Sequence, residues 1–210
     1  MDTKENTLQS KPTDQTQNEE RPLVSFILLA YNQERYIREA VEGALSQTYS
    51  PLEIILSDDC SSDCTFQIMN EIVERYKGQH KLVLNRNKNN LGILGNINKC
   101  VEIANGDVIV TAGGDDISLT NRVEALIETK FHLESNAYAA FSDAEIIDSE
   151  NNIISPFYFD RDNIHRKRNF YQLTRWDKQT NWLFSYHPFK KPRKHDFISG
   201  IIGATAAYKR

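Results

Sequence analysis

Between Leu23 and Phe131, short and densely apolar runs alternate with amphipathic repeats, and this alternation restricts the possible folds more than any other feature. Leu23-Val24-Ser25-Phe26-Ile27-Leu28-Leu29-Ala30 is apolar nearly throughout, as expected of a strand covered on both faces. Tyr36, Ile37, Ala40, Val41, Ala44 and Leu45 then recur at helical spacing, with Glu34, Arg35, Arg38, Glu39 and Glu42 between them. The pattern predicts a helix to about Gln47, stopped by Tyr49-Ser50-Pro51. Leu52 to Ser57 reads as a second strand ending in Asp58-Asp59, after which Ser61, Ser62 or Asp63 can cap a helix. The inward face of that helix is Phe66, Met69, Val73 and Tyr76, and Gly78 closes it. Leu82-Val83-Leu84 is a third strand. Ile93, Ile97, Cys100, Val101 and Ala104 then mark a third helix ending at Asn105-Gly106. Val108 to Thr111 is the fourth strand, and Leu119, Val123, Leu126, Ile127 and Phe131 line the inward side of a fourth helix. Strands and helices in strict alternation build an α/β fold with a mainly parallel sheet joined by right-handed crossovers.

In an open sheet of this kind ligands bind beyond the carboxyl ends of the strands. The fourth strand runs into Gly113-Gly114-Asp115-Asp116. Two glycines permit a sharp turn, and adjacent carboxylates suit Mg²⁺ or Mn²⁺, which take oxygen ligands and bridge to substrate phosphates. Gly and Asp are equally the residues of a solvated turn. At the first strand end Tyr31 can stack on a base or pack on the helix that comes next. At the second, Asp59 can accept a hydrogen bond from a base N–H such as N3–H of uracil. Asp59, Ser61 and Asp63 alternate as in a calcium loop, but Cys64 stands where the sharp-turn glycine belongs and Asn70 where the bidentate Glu belongs.

Composition narrows the class. Apolar content of 40% and charged content of 26% are those of a globular protein, and no apolar run has membrane-spanning length. Three cysteines, an odd number without a histidine pair at zinc spacing, argue against a disulfide framework or a zinc site and for a reducing compartment. The net charge of −4 hides an asymmetry: residues 151–210 carry 12 Lys and Arg against four Asp, and the remainder carries 13 against 25 acidic residues. The basic segment is local and the rest acidic, so nucleic acid is not the expected partner. The first strand leads into Tyr31-Asn32-Gln33-Glu34, which lacks the glycines of a dinucleotide-binding turn or of a nucleotidyltransferase phosphate loop.

Several segments, in order, resemble the successive motifs of family 2 glycosyltransferases, nucleotide-sugar enzymes of the GT-A fold. They are Val24 to Glu34, Leu45-Ser46-Gln47-Thr48-Tyr49, Glu53 to Asp63, Asn90-Leu91-Gly92, and Ala104-Asn105-Gly106-Asp107 through Asp115-Asp116. The resemblance covers Pro22 to about Lys130 and resumes weakly at Gly203 to Arg210. It implies that Ala30 and Tyr31 cradle the nucleobase and that Asp59 pairs with uracil. Asp115 and Asp116 match the DxD motif, the first approaching the ribose and the second ligating the metal, with Glu34 and Gly92 near the nucleotide. The activity implied is metal-dependent, inverting transfer of a sugar from a UDP-sugar donor to a saccharide or lipid-linked acceptor, in bacterial cell-surface polysaccharide synthesis. The expected cofactor is Mn²⁺ or Mg²⁺, and the expected location is cytoplasmic, with peripheral attachment to the inner membrane face. A module that binds nucleotide sugars without transferring them is the alternative.

The remaining chain is read from its residues. Met1 to Glu20 is polar and cannot offset its chain entropy by burial, so residues 1–21 are expected to be a disordered tail. The domain then spans 22–210, with a nucleotide-sugar-binding half over 22–135 and a partial acceptor-side half over 136–210. Tyr138 to Phe141 reads as strand, and Ile146-Ile147 and Ile153-Ile154 as a hairpin about Ser149-Glu150-Asn151-Asn152. The basic, aromatic tract Phe157 to Lys194 is expected on the acceptor side, facing an anionic glycan, lipid or membrane surface. Phe197 to Tyr208 reads as a last strand. None of Asp143, Glu145, Asp148 or Asp196 sits in a motif matching the family's acceptor base, so that base is expected beyond Arg210 and the chain is expected to be C-terminally truncated. Uncovered apolar surface should then favour self-association.

Overall fold

A computed structural model describes residues 21–133, 139–142, 144–156, 173–177, 182–185 and 206–208. The polar segment 1–20, Asp143, Asp196, Gly200, Gly203 and most of the basic aromatic tract lie outside them. The first half alternates as the sequence predicts: β1 (Val24–Ala30), α1 (Ile37–Leu45), β2 (Leu52–Asp58), α2 (Thr65–Arg75), β3 (Lys81–Arg86), α3 (Gly92–Ile103), β4 (Val108–Gly113) and α4 (Arg122–Leu133). The four strands form one parallel sheet in the order β3-β2-β1-β4. The chain therefore works outward from β1 through β2 to β3, then returns across the sheet to lay β4 on the other side of β1.

That reversal decides which helix covers which face. Crossovers of one hand place their helices on opposite faces when they run in opposite directions along the sheet. Val24, Phe26, Leu28 and Ala30 pack with Ile54, Leu56, Val110 and Ala112 under α1, α2 and α4. Their alternates Ile27, Leu29 and Ile55 pack with Ile97 and Cys100 of α3 on the other face. Both faces of β1 and β2 are covered, which is why β1 is apolar at all but Ser25 and β2 is apolar through its middle, Ile54-Ile55-Leu56.

The opposite, amino-terminal edge of the sheet is held by a buried carboxylate. Glu53 on β2 accepts hydrogen bonds from Ser25 Oγ (2.7 Å), the backbone N–H of Asn105 (2.6 Å), Asn105 Nδ2 (3.1 Å) and Lys81 Nζ (3.4 Å). Gly106 donates its N–H to Ser25 Oγ at 2.8 Å, and a Cβ there would stand 2.5 Å from that oxygen. Gly106 is thus required by close packing against β1. The cap of α3 itself is Ala104, in an extended conformation.

Several inward assignments are corrected. Ile93 is exposed in the first turn of α3, and Leu119 is exposed because it precedes α4 instead of lying on it. Phe66, Val73 and Tyr76 are only half-buried, and the buried residues of α2 are Thr65 and Met69. Helix α2 ends at Arg75, before Gly78, and β4 continues through Gly113.

Beyond α4 come β5 (Ala139–Ser142), β6 (Glu145–Ile147), β7 (Ile153–Ser155), β8 (Leu173–Asp177), β9 (Trp182–Ser185) and β10 (Ala206–Tyr208). They form two small sheets, β10-β6-β7 and β5-β9-β8. The expected hairpin is β6–β7, antiparallel. Asp148 builds its turn, Oδ1 accepting from the N–H groups of Glu150 (2.8 Å) and Asn152 (2.9 Å). These bonds hold the Asp148 carboxyl below its ordinary pKa. Among the described residues no helix is long and apolar enough to cross a membrane.

Candidate functional site

Four loops meet at the carboxyl edge of the parallel sheet, and hydrogen bonds tie each to its neighbours. The β1–α1 and β2–α2 loops are zipped together. Asn32, with φ of 53°, donates its N–H to Ser61 Oγ (2.9 Å) and accepts from the Ser62 N–H (2.9 Å). Gln33 N–H donates to Thr65 Oγ1 at 2.7 Å. The N-cap of α2 is Cys64, with no side-chain cap bond, and not Ser61, Ser62 or Asp63 as expected; Asp63, one residue before it, accepts from the Thr65 N–H through Oδ1 at 2.9 Å. Those bonds outweigh burial and keep its carboxyl below its ordinary pKa. Glu34 belongs to this zipper, its carboxylate accepting from the Cys64 N–H at 2.9 Å.

Asp59 sits where β2 leaves the sheet. Its N–H donates to the Ala30 carbonyl at 2.9 Å, joining the ends of β1 and β2. Its side chain is buried, and Oδ1 accepts from the Leu91 N–H (2.9 Å) and from Asn87 Nδ2 (2.8 Å). Gly92 comes next with φ of 73°, a conformation that favours glycine, and its N–H donates to Asn90 Oδ1 at 2.9 Å. Tyr31, beside Ala30, is 48% exposed.

The β4 end lies on the other side of β1. Gly114 donates its N–H to the Leu29 carbonyl at 2.8 Å, and a Cβ there would stand 2.3 Å from Gln33 Oε1 and 3.0 Å from Ile37 Cδ1. Neither Gly113 nor Gly114 has positive φ, so the turn does not need glycine for its dihedrals, contrary to the sequence reading. At Gly114 the Gln33 side-chain tip could move aside, but Ala30 Cβ, 3.1 Å from an added Cβ, leaves little room for a side chain. Both carboxylates lean over Gly113: a Cβ on it would meet Asp115 Oδ1 at 2.9 Å and Asp116 Oδ2 at 3.0 Å.

Asp116 is 7% exposed. Burial, reinforced by the neighbouring Asp115, pushes its pKa up to about 7, against the pull of Arg122 and a hydrogen bond with Gly113. Arg122, the first residue of α4, is buried beside it and donates from Nη2 to the Thr111 carbonyl at 3.0 Å. Burial lowers the Arg122 pKa to about 10, while Asp116 holds it up. Two neighbouring carboxylates, one of them held back from ionising by burial and by the other despite Arg122, fit a divalent cation. Among the described residues no three His, Cys, Asp or Glu cluster as metal ligands. A cation held by one or two carboxylates and completed by substrate phosphates needs no such cluster.

Sequence reading missed Arg122, Asn87, Asn96 and Gln47. Gln47 is buried at the end of α1, donating from Nε2 to the carbonyls of Leu119 (2.7 Å) and Gly43 (3.0 Å). Its Oε1 accepts from the Val123 N–H at 3.0 Å, satisfying an otherwise open amide in the first turn of α4. The loop after Asp116 is pinned to the end of α1 by this amide and by the Thr48 N–H, which donates to the Thr120 carbonyl at 2.9 Å. Gln47→Leu is therefore expected to cost about 1–3 kcal/mol in urea denaturation, because it strands buried partners. A loss under about 0.5 kcal/mol would show that the loop is held by other means. The signal available in the sequence was Gln47 inside a familiar Ser-Gln-Thr segment, with nothing to indicate its partner.

The family model described as Glycosyl transferase family 2 matches residues 25–210. EpsE of Bacillus subtilis (strain 168), named as a glycosyltransferase, is 38% identical over 116 residues, which cover 54% of this chain and 41% of that protein. The Escherichia coli UDP-Glc:alpha-D-GlcNAc-diphosphoundecaprenol beta-1,3-glucosyltransferase WfaP is 36% identical over 121 residues, 55% of this chain and 46% of that one. The chain thus spans less than half the length of these relatives. Among solved structures, a mannosyltransferase from Pyrobaculum calidifontis in complex with GDP-Man and Mn²⁺ superposes with a TM-score of 0.51 at 23% identity, over 60% of this chain and 36% of that one.

Proposed function

Because the chain belongs to glycosyl transferase family 2, with its parallel sheet flanked by helices in the GT-A manner, we propose that it transfers a sugar from a UDP-sugar to a saccharide or lipid-linked acceptor, with inversion. The observation that carries this reading is the placement of Asp59 and the Asp115–Asp116 pair on either side of the end of β1, at the point where the strand order reverses. Crevices at such reversals bind nucleotides.

In this reading Tyr31 lies against the base beside the Ala30 backbone, and Asp59 accepts the base imino N–H through Oδ2, the oxygen that takes neither bond from Leu91 nor from Asn87. Asp115 meets the ribose, and Gly92 lets the β3–α3 loop pass close to the nucleotide. Glu34 supports the site from below by fixing the Cys64 amide. Asp116 would hold Mn²⁺ or Mg²⁺, which when bound offsets charge growing on the departing diphosphate. The acceptor hydroxyl attacks the anomeric carbon from the opposite side, losing its proton to a carboxylate on the acceptor side of the site. A uridine donor agrees with the donor in the name of the E. coli relative, which is more similar in sequence than the GDP-mannose-bound structure. The setting proposed is assembly of a bacterial surface glycan at the inner membrane face.

The test is nucleotide binding by calorimetry. Asp59→Ala is expected to weaken UDP by roughly 1.5–3 kcal/mol, the value of one charge-assisted hydrogen bond. N3-methyl-UDP, which lacks the imino hydrogen, should lose much less. Equal losses for the two nucleotides would remove Asp59 from base recognition.

A further inference from the structure

Asp59 does not stand alone. Behind it, between β2, β3 and α3, lies a chain of polar side chains in which every hydrogen bond has a definite direction. Asn87 Nδ2 donates one hydrogen to Asp59 Oδ1 (2.8 Å) and the other to Asn96 Oδ1 (3.0 Å). Asn96 Oδ1 also accepts from Ser57 Oγ at 2.6 Å, and Asn96 Nδ2 reaches back to the Ser57 carbonyl at 3.4 Å. Asn85 Nδ2 donates to Ser57 Oγ (2.9 Å) and to Asn87 Oδ1 (3.0 Å). Asn96, Asn87, Ser57 and Asp59 are all buried.

The Asn87 amide can point only one way. Turned over, it would set its oxygen against both the Asp59 carboxylate and Asn96 Oδ1, three acceptors with no hydrogen between them. Held as it is, it saturates Asp59 Oδ1 together with the Leu91 N–H. A carboxylate with both oxygens open offers two parallel acceptors and would suit a base edge with two adjacent donors, as guanine presents. With Oδ1 filled, a single acceptor oxygen remains, and this matches the single imino N–H of uracil.

We propose that Asn87 and Asn96, backed by Asn85 and Ser57, are positioning residues that set base selectivity by occupying one oxygen of Asp59 and fixing the direction of the other. The inference rests on the assignment of Asp59 to the base. Its measurable consequence is a ratio of affinities, which a merely structural contribution would leave unchanged.

Affinities of the 210-residue chain for UDP, GDP and N3-methyl-UDP are to be measured by calorimetry with Mn²⁺, alongside melting temperatures, for the native protein and for Asn87→Ala, Asn96→Ala and Asn85→Ala. The native protein should prefer UDP to both other nucleotides by about tenfold or more. Asn87→Ala removes one of the two donors on Oδ1, the Leu91 N–H keeping the other, and the acceptor site so opened should reduce the UDP:GDP ratio at least fivefold or so, with Asn96→Ala acting in the same direction. Asn85 is half-buried, so its replacement leaves a folded protein even where the deeper variants do not, and it should lower the ratio by a smaller factor. Loss of affinity for UDP and GDP in parallel, at a constant ratio, overturns the positioning role. A native protein indifferent to N3-methylation overturns the assignment of Asp59 itself, and the two failures are thus told apart.

Discussion

Asp116→Asn is expected to abolish metal-dependent binding of UDP and, at pH 8, to raise the melting temperature of the ligand-free protein. The two effects have one cause. In the folded protein Asp116 titrates near 7 because burial and Asp115 oppose its charge, against 3.8 for the free side chain. The folded state therefore holds the proton more tightly, and stability falls as pH rises between those values. By pH 8 the whole cost is present, up to roughly 4 kcal/mol as an upper bound. Asn carries no charge and escapes that cost, although Arg122 then loses its counter-charge and returns part of the gain. At pH 4 and below, where Asp116 is protonated in the folded state, the two proteins should melt at similar temperatures. Calorimetry with and without Mn²⁺ checks the first effect and thermal melts at pH 4 and 8 the second. Undiminished Mn²⁺-dependent affinity for UDP would show that the metal is held elsewhere. Stabilities that differ equally at both pH values would show that burial of the Asp116 charge is not what destabilises the native protein.

Glu53→Ala should be damaging although it lies away from the site, with an expected loss of about 1–3 kcal/mol, the cost of leaving the buried Ser25 hydroxyl and the Asn105 amide without their acceptor. Burial alone would raise the Glu53 pKa, but the bonds from Asn105, Ser25 and Lys81 overcome it and leave the carboxyl below its usual value of 4.5. The sign is opposite to that of Asp116. The stabilisation is complete above pH 4.5 and is lost as pH falls toward and through the lowered folded value. Urea denaturation at pH 7 and pH 3 should show a large gap between native and variant at the first and a narrower one at the second. A gap that does not narrow would assign the loss to cavity formation. Base selectivity should be unchanged in whatever fraction folds, since the Glu53 latch lies at the opposite edge of the sheet.

The contrast between these two carboxylates marks how far sequence reading reached. The strands were legible because β1 and β2 are buried on both faces, which leaves a dense apolar signature, and the helices because their inward residues repeat at helical spacing. The same reading misplaced Ile93 and Leu119. Periodicity identifies an apolar face but not the residue at which the helix begins, and Leu119 lies in the loop ahead of α4. Of the glycines before Asp115, Gly114 was legible as important and misread in cause, because close packing against Ala30 and Ile37 leaves no local trace.

The sequence by itself determined the alternation of strands and helices, the hairpin turn at Ser149-Glu150-Asn151-Asn152, the family, and the strand ends at which Ala30, Tyr31, Asp59, Asp115 and Asp116 stand. These come from spacing along the chain, since local dihedral preference and the pattern of burial act over a few residues. Only the tertiary structure decided that Asn96 bonds Ser57 across 39 residues, that Asn105 closes on Glu53 across 52, and that Gln47 holds Leu119 across 72. It also decided that α3 covers one face of the sheet and α1, α2 and α4 the other. A polar side chain carries the same chemistry whether it faces water or a buried partner. Which of the two it meets is fixed by strand order, and strand order is set by how the whole chain packs.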